Sequence, residues 1–296
     1  MAPQRGVYFL ANDHVLERVI AFLNSFRAYN PTMPLCLIPF ADDIDGVLRH
    51  QRRYDFSVWS GDPALLRRCD DISLLFHDEV RGHYRKLVAW EGEFDEFVYV
   101  DTDTVVLGDV GFVFDFLDQF GFVVTSSEHP DMFRWVWQSS IHEAGALTPQ
   151  QIGYCAGTQF IASRRESLRF ADASRRLPDA VRLAPHMALV TLEMPLLNYL
   201  IVTSGYPHTS LRVLGGAQGR GQVPPGPIPQ ERHATDPFEV RDGQVVTPGS
   251  PRTFVVHWAG LWWELERGEL DRLPREDLWG YYRHLHRDAD QVVGRP

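Results

Sequence analysis

A chain of 296 residues with 44% apolar content and 18 Phe, 10 Tyr and 8 Trp can fill one large α/β core or two small ones, which excludes a disordered polypeptide. Its net charge of −10 argues against a nucleic-acid binder, which would carry a basic face. A phosphorylated substrate stays open, because a metal ion or a local cationic cluster can supply the positive charge.

The N-terminus, Met1 to Arg5, lacks the apolar core of a signal peptide and leads into a first strand at Gly6 to Leu10. Leu16, Val19, Ile20, Leu23 and Phe26 repeat at helical spacing and predict a helix from Val15 to Tyr29, ended by Pro31 and Pro34. Leu35 to Phe40 and Phe56 to Trp59 read as strands. Asp62 to Arg68 opens a helix with Pro63 in its first turn. Tyr84 to Trp90 looks helical and leads to an apolar strand that ends in Asp101-Thr102-Asp103. Phe120 to Ser126 and Thr158 to Ala162 are further strands, and Met187 to Thr203 is dense enough in apolar residues to be a buried helix. Gly215 to Pro251 is rich in Gly and Pro and predicts a long loop, either a lid or a surface excursion. A last strand, Thr253 to Val256, ends in His257-Trp258-Ala259-Gly260.

Strands alternating with helices predict a mostly parallel sheet covered on both faces. The expected organisation is a single catalytic domain over 1–264, containing the 215–251 loop, and a charged, helical, solvent-facing tail over 265–296. No apolar run reaches the about 18 residues of a membrane-spanning helix. Cys36, Cys69 and Cys155 stand at unrelated spacings and read as free buried thiols. Together these features predict a cytoplasmic protein.

The stretch Phe97 to Asp109 carries the chemistry. Two aspartates one residue apart at the end of a buried strand repel each other and are costly to bury. A hard divalent cation between them removes both problems, and it accepts phosphate oxygens in the same shell. In open α/β sheets, ligands bind beyond the carboxyl ends of the strands, where these aspartates stand. His257 alone reads first as a strand-end histidine bonded to backbone. Together with Asp101, Asp103 and the following Gly260, it reads as a third ligand.

An apolar strand ending in Tyr99-Val100-Asp101-Thr102-Asp103, followed late in the chain by Val256-His257-Trp258-Ala259-Gly260, resembles the metal-dependent glycosyltransferases of the GT-A fold. The likeness points to the glycogenin-like and lipopolysaccharide galactosyltransferase-like families and covers Val7 to about Trp262. It implies an α/β fold with a mostly parallel, mixed sheet, a Rossmann-like nucleotide-binding half and an acceptor half. It implies Mn²⁺ or Mg²⁺ held by Asp101, Asp103 and His257 against the diphosphate of a nucleotide sugar, with a UDP-sugar as the first expectation. Asp103 would be the main ligand and Asp101 would also reach the ribose. The acceptor would be a hydroxyl on a glycan, small molecule or protein.

The same resemblance marks further donor contacts. Tyr84-Arg85-Lys86-Leu87 is similar to a Tyr-x-Arg-Leu helix, which puts Lys86 at the donor, with Arg85 as the alternative. Tyr8, Asn12 and Asp13 fall at the first-strand loop that cradles the base, with Asn12 and Asp13 toward the base edge and packing as the alternative for Tyr8; Asn12 or Asp13 could also cap the Val15 helix. Ala156, Gly157 and Gly260 fall where backbone approaches the donor. Two positions depart from the family pattern. Cys155 stands where Asn is usual, and Glu193-Met194 stands where Asp-Gln is usual, which leaves retention or inversion open. Glu193 remains a catalytic candidate, binding sugar hydroxyls or acting as a general base; its structural alternative is a helix-start carboxylate. Trp258, Trp262, Trp263, Trp135 and Trp137 are possible acceptor platforms, with core packing as the competing role.

Two other functions compete. Asp101-Thr102-Asp103-Thr104-Val105 fits the start of a haloacid-dehalogenase-like phosphatase, but Lys86 is the only lysine and precedes the motif. A catalytically inactive sugar- or nucleotide-binding relative is the other alternative, motivated by Cys155 and Met194.

Overall fold

The computed structural model describes residues 2–217, 227–246, 251–261 and 272–285. Four strands, β1 (Arg5–Ala11), β2 (Leu35–Pro39), β3 (Ser57–Val58) and β4 (Glu96–Val100), pair in parallel in the order β3-β2-β1-β4. Their side chains alternate between two cores, one on each face of the sheet. Tyr8, Leu10, Phe97 and Tyr99 enter one, while Val7, Phe9, Ala11, Val98 and Val100 enter the other. A strand buried on both sides must be apolar throughout, which explains the unbroken runs in the sequence.

Beyond β4 the sheet becomes mixed. Strands β5 (Thr104–Val106), β6 (Phe122–Val124), β7 (Phe160–Arg164) and β8 (His208–Ser210) follow in sequence. Of these, β7, β6 and β8 complete a seven-stranded sheet in the order β3-β2-β1-β4-β7-β6-β8. The β4–β7 and β7–β6 pairs are antiparallel and β6–β8 is parallel. Strand β5 leaves this sheet and joins β9 (Gln230–His233) and β12 (Thr253–His257) in a small one ordered β5-β12-β9. Between them β10 (Glu239–Arg241) and β11 (Gln244–Val246) form a hairpin around Asp242 and Gly243.

Three expectations change here. The region 215–251 is not one loop: Gly215 and Gly216 lie in a helix, Leu211–Ala217, and three strands follow Pro229. Residues 218–226 and 247–250 lie outside the described part. The Met187 to Thr203 helix begins only at Met194, because Leu189–Thr191 is a 3₁₀ turn and Leu192 has φ of 60°. The C-terminal helix, Glu276–His284, does not face solvent all round. Leu278, Trp279 and Tyr282 are buried in a core shared with Val105, Leu107, Val256 and Trp258.

That helix packs on α1 (Leu16–Tyr29): Asn24 Nδ2 donates to the Tyr282 carbonyl at 2.8 Å, and the Tyr29 and Tyr282 hydroxyls lie 3.1 Å apart. Among the described residues no helix is long and apolar enough to cross a membrane. Cys36, Cys69 and Cys155 are free and buried, as the spacing predicted, and burial pushes the Cys36 and Cys155 thiols up to about 12.

Candidate active site

The acidic motif is the crossover from the large sheet to the small one. Strand β4 ends at Val100, and β5 begins at Thr104, so Asp101-Thr102-Asp103 must turn between sheets. Three hydrogen bonds fix the turn. The Asp101 amide donates to the Gln159 carbonyl at 2.8 Å, Thr104 Oγ1 donates to the Asp101 carbonyl at 2.7 Å, and the Trp258 amide donates to the Asp103 carbonyl at 3.0 Å. The register of the small sheet then delivers the histidine, since β12 pairs antiparallel with β5 and sets His257 opposite Thr104. His257 Nε2 lies 3.4 Å from Asp103 Oδ1. One ligand atom from each of Asp101, Asp103 and His257 falls within 4.8 Å of the others.

A second set of contacts surrounds this trio. Lys86 is 3% exposed at its side chain, and its Nζ sits 3.0 Å from Asp101 and 2.5 Å from Glu193 Oε1. The Tyr99 hydroxyl donates to Asp101 Oδ1 at 2.6 Å, and the Lys86 ammonium stands 4.9 Å from the Tyr99 ring centre. Thr158 Oγ1 donates to Glu193 Oε1 at 3.4 Å. On the far side of the imidazole, His257 Nδ1 lies 3.3 Å from Glu231 Oε1. Gln159 Nε2 donates to both Glu231 oxygens, at 2.7 and 2.6 Å, and to Thr125 Oγ1 at 3.0 Å.

The electrostatics follow from these contacts. Burial opposes the charge on Asp103, but His257 beside it outweighs burial and holds the carboxyl down at about 2. Burial likewise opposes the imidazolium of His257, yet Asp103 and Glu231 raise it to about 10. Asp101 is shifted up, by burial first and by Asp103 and Glu193 beside it, against the pull of Lys86. Lys86 itself is shifted up because Asp101 and Glu193 outweigh its burial. Four carboxylates, those of Asp101, Asp103, Glu193 and Glu231, therefore face Lys86 and His257, with Arg18 adding positive potential at Asp103. A donor set of two carboxylates and one imidazole suits Mn²⁺ or Mg²⁺, and an oxygen-rich set does not suit a soft metal.

The remaining candidates divide. Glu193 joins the cluster, but it does not cap its helix, because its side chain turns to Lys86. The Lys86 ammonium is enclosed by protein carboxylates instead of lying open to a ligand. Arg85 is taken up by Asp70 at 2.8 and 2.7 Å and by the Pro39 carbonyl at 3.2 Å.

Asn12 stands at the carboxyl end of β1 with Nδ2 3.3 Å from Asp43 Oδ1, and Thr102 Oγ1 donates to the nearby Leu10 carbonyl at 3.5 Å. Asp13 caps a different helix from the one expected: its carboxylate accepts from Gly46 and Val47 at 2.8 and 2.9 Å, at the start of Asp45–Leu48. Tyr8 is buried against Phe94 and Phe97, and its hydroxyl accepts from the Phe94 amide at 3.3 Å, so its ring has no ligand-facing side.

The amide and carbonyl of Ala156 both bind Asn198, at 2.7 and 2.9 Å, and the Gly157 amide donates to Ser126 at 3.0 Å. Both amides and the Ala156 carbonyl are thus committed within the protein. Gly260 has φ of 69° and open space where a Cβ would stand. Trp258 and Trp137 are each 2% exposed core residues, while Trp135 is 43% exposed; Trp262 and Trp263 lie outside the described residues.

Glu231, Gln159 and Thr158 were not singled out from the sequence. Glu231 sat inside the Gly/Pro-rich stretch read as loop. His83 was also missed: burial and the nearby Lys86 push its imidazole down to about 4, and its buried Nδ1 has no partner among the described residues.

No protein-family model and no curated protein sequence matches this chain. Solved structures do. The galactosyltransferase LgtC, solved with donor and acceptor sugar analogues, is 13% identical with a TM-score of 0.57, over 94% of this chain and 95% of that one. The bifunctional glycosyltransferase WbbM is 12% identical with a TM-score of 0.54, over 95% of this chain and 52% of that one, so the chain spans about half of WbbM. Sheet order, the crossover at the acidic pair and these likenesses together show that the chain has the GT-A-like fold of glycosyltransferases.

Proposed function

We propose that this chain is a metal-dependent glycosyltransferase that moves a sugar from a nucleoside-diphosphate sugar to a hydroxyl acceptor. The observation that carries the proposal is the convergence of Asp101, Asp103 and His257 beyond the carboxyl end of β4, in a fold whose solved neighbours include glycosyltransferases. Asp101, Asp103 and His257 would hold Mn²⁺ or Mg²⁺. When bound, such an ion neutralises the charge that develops on a departing diphosphate.

The chain's own residues prepare the site. Lys86 keeps Asp101 and Glu193 in place and limits their mutual repulsion. Glu193 Oε1 is engaged by Lys86 and Thr158, so Oε2 is the oxygen offered to a sugar hydroxyl. Asn12, at the end of β1 with its Nδ2 directed to Asp43, would bond a base edge through Oδ1. Met194 offers no polar group at its position, so the reacting face of the sugar relies on Glu193.

The test is a thermal-shift screen of UDP, GDP, dTDP and CDP, each with and without Mn²⁺. Ligand at 100 times its Kd adds about 2.7 kcal/mol to stability, a shift of several degrees. We expect one nucleotide to stabilise the protein strongly and only with the metal. Equal, metal-independent curves for all four would overturn the reading.

A further inference from the structure

The other nitrogen of His257 is as deliberately placed as the one that faces Asp103. Strands β9 and β12 run parallel with Glu231 beside Val255, two residues before His257 on the same face of β12. This register brings Glu231 Oε1 to 3.3 Å from Nδ1, while Nε2 faces Asp103 at 3.4 Å. The two partners hold the ring from both ends.

Glu231 is in turn held. Its described partners are His257 and the Gln159 amide, which reaches both carboxylate oxygens and is itself tied to Thr125. The backbone carbonyl of Gln159 accepts the Asp101 amide at 2.8 Å. One residue therefore anchors both Asp101 and the carboxylate behind the imidazole. A Cβ at Gly157 would fall 2.6 Å from Gln159 Oε1, so the glycine leaves the room that Gln159 needs.

Imidazole has one nitrogen for a metal and one for an outer partner. A carboxylate that accepts a hydrogen bond from Nδ1–H fixes the tautomer, orients the ring and leaves the Nε2 lone pair for the ion. A nearby buried carboxylate also attracts a doubly charged ion more strongly than a singly charged proton.

We propose that Glu231 is a positioning residue for the cation site: with Gln159 behind it, it sets the His257 imidazole so that Nε2 faces the ion. This rests on the metal-dependent reading above.

The experiment titrates Mn²⁺ alone into the wild type, Glu231→Gln and Glu231→Ala. Free Mn²⁺ is followed by electron paramagnetic resonance, and imidazole nitrogen coupling to the bound ion by spin-echo modulation. We expect Glu231→Ala to weaken Mn²⁺ binding about 10–100-fold, with loss or change of the nitrogen coupling. Glu231→Gln keeps an acceptor oxygen for Nδ1 and is expected to fall between the two. Should Glu231→Ala not fold, the near-isosteric Gln variant decides, with a predicted loss of affinity and a perturbed coupling. A wild type that binds Mn²⁺ with a nitrogen coupling, and variants that match it in both, would overturn this inference alone. A wild type that binds no Mn²⁺ would overturn it together with the metal-dependent reading.

Discussion

Asp103 stands between an imidazole and a neighbouring carboxylate, and every account of the site depends on it. Its side chain meets His257 at 3.4 Å, while its backbone carbonyl accepts from Trp258 and so locks β5 to β12. Replacing the side chain leaves that backbone bond intact. Asp103→Ala is expected to stay folded, by circular dichroism, and to lose at least about 100-fold in turnover, because a bound metal supplies several kcal/mol of charge stabilisation. Turnover at the wild-type level in this variant would contradict the site.

The same pair sets a pH dependence. His257 is raised from its ordinary 6.5 to about 10, so the stability it contributes to the metal-free protein is complete below about pH 6.5 and is lost as pH rises toward 10. Urea unfolding in EDTA is expected to show wild type losing stability across that window relative to His257→Gln. Parallel curves would contradict it. Because a metal held by His257 as proposed would have to displace its proton, apparent Mn²⁺ affinity is expected to climb with pH in the same window, by up to about tenfold per unit.

Asp101 and Asp103 were legible in the sequence because two carboxylates at the end of an apolar run are anomalous by themselves, and His257 became a candidate only in their company. Glu231 was not, because nothing local distinguishes it; only the β9–β12 register brings it to the imidazole. Of the two roles open to Tyr8, packing is the one its strand position gives. Alternation along β1 decides which face each residue takes, and Tyr8 faces the core of Phe94 and Phe97.

At the scale of elements, the 3₁₀ segment Gly82–Glu91, the end of β4 and the start of the Met194–Val202 helix meet through Lys86. Removing one member of a buried ion cluster leaves the others uncompensated. Lys86→Met is expected to destabilise the fold by about 3–5 kcal/mol in urea unfolding, and Glu193→Gln in the same chain is expected to restore part of it. Additive losses would show that Lys86 and Glu193 carry no mutual coupling.

The C-terminal helix gives a second test. Leu278 is fully buried where that helix meets the small sheet's core, so Leu278→Ala is expected to cost about 2–5 kcal/mol. A loss under about 0.5 kcal/mol would mean that the helix is undocked in solution. The sequence showed charges over this stretch, and only one face carries the apolar residues that dock. The β10–β11 hairpin had a readable mark: Asp242-Gly243, both with positive φ, is a two-residue turn signal that the surrounding Gly and Pro obscured.

For the whole molecule, the parallel strands of the N-terminal half were readable because burial on both faces demands unbroken apolar runs. The mixed half was harder. The strands read at Phe120 to Ser126 and Thr158 to Ala162 hold β6 and β7, but β8 has three residues, too short for a periodic signal, and β9 is entirely polar. The small sheet that carries His257 and Glu231 is built from segments far apart in sequence, so its assembly is a property of the complete fold. Its position over the carboxyl end of β4 is what turns two ordinary strands into the wall of a site.

The most direct measurement is anomalous X-ray scattering from crystals grown with Mn²⁺ and the nucleoside diphosphate that stabilises the protein most. The account predicts a manganese peak within coordination distance of Asp101, Asp103 and His257 Nε2, with diphosphate oxygens on its open side. A peak at another place, or none at saturating Mn²⁺, would contradict it.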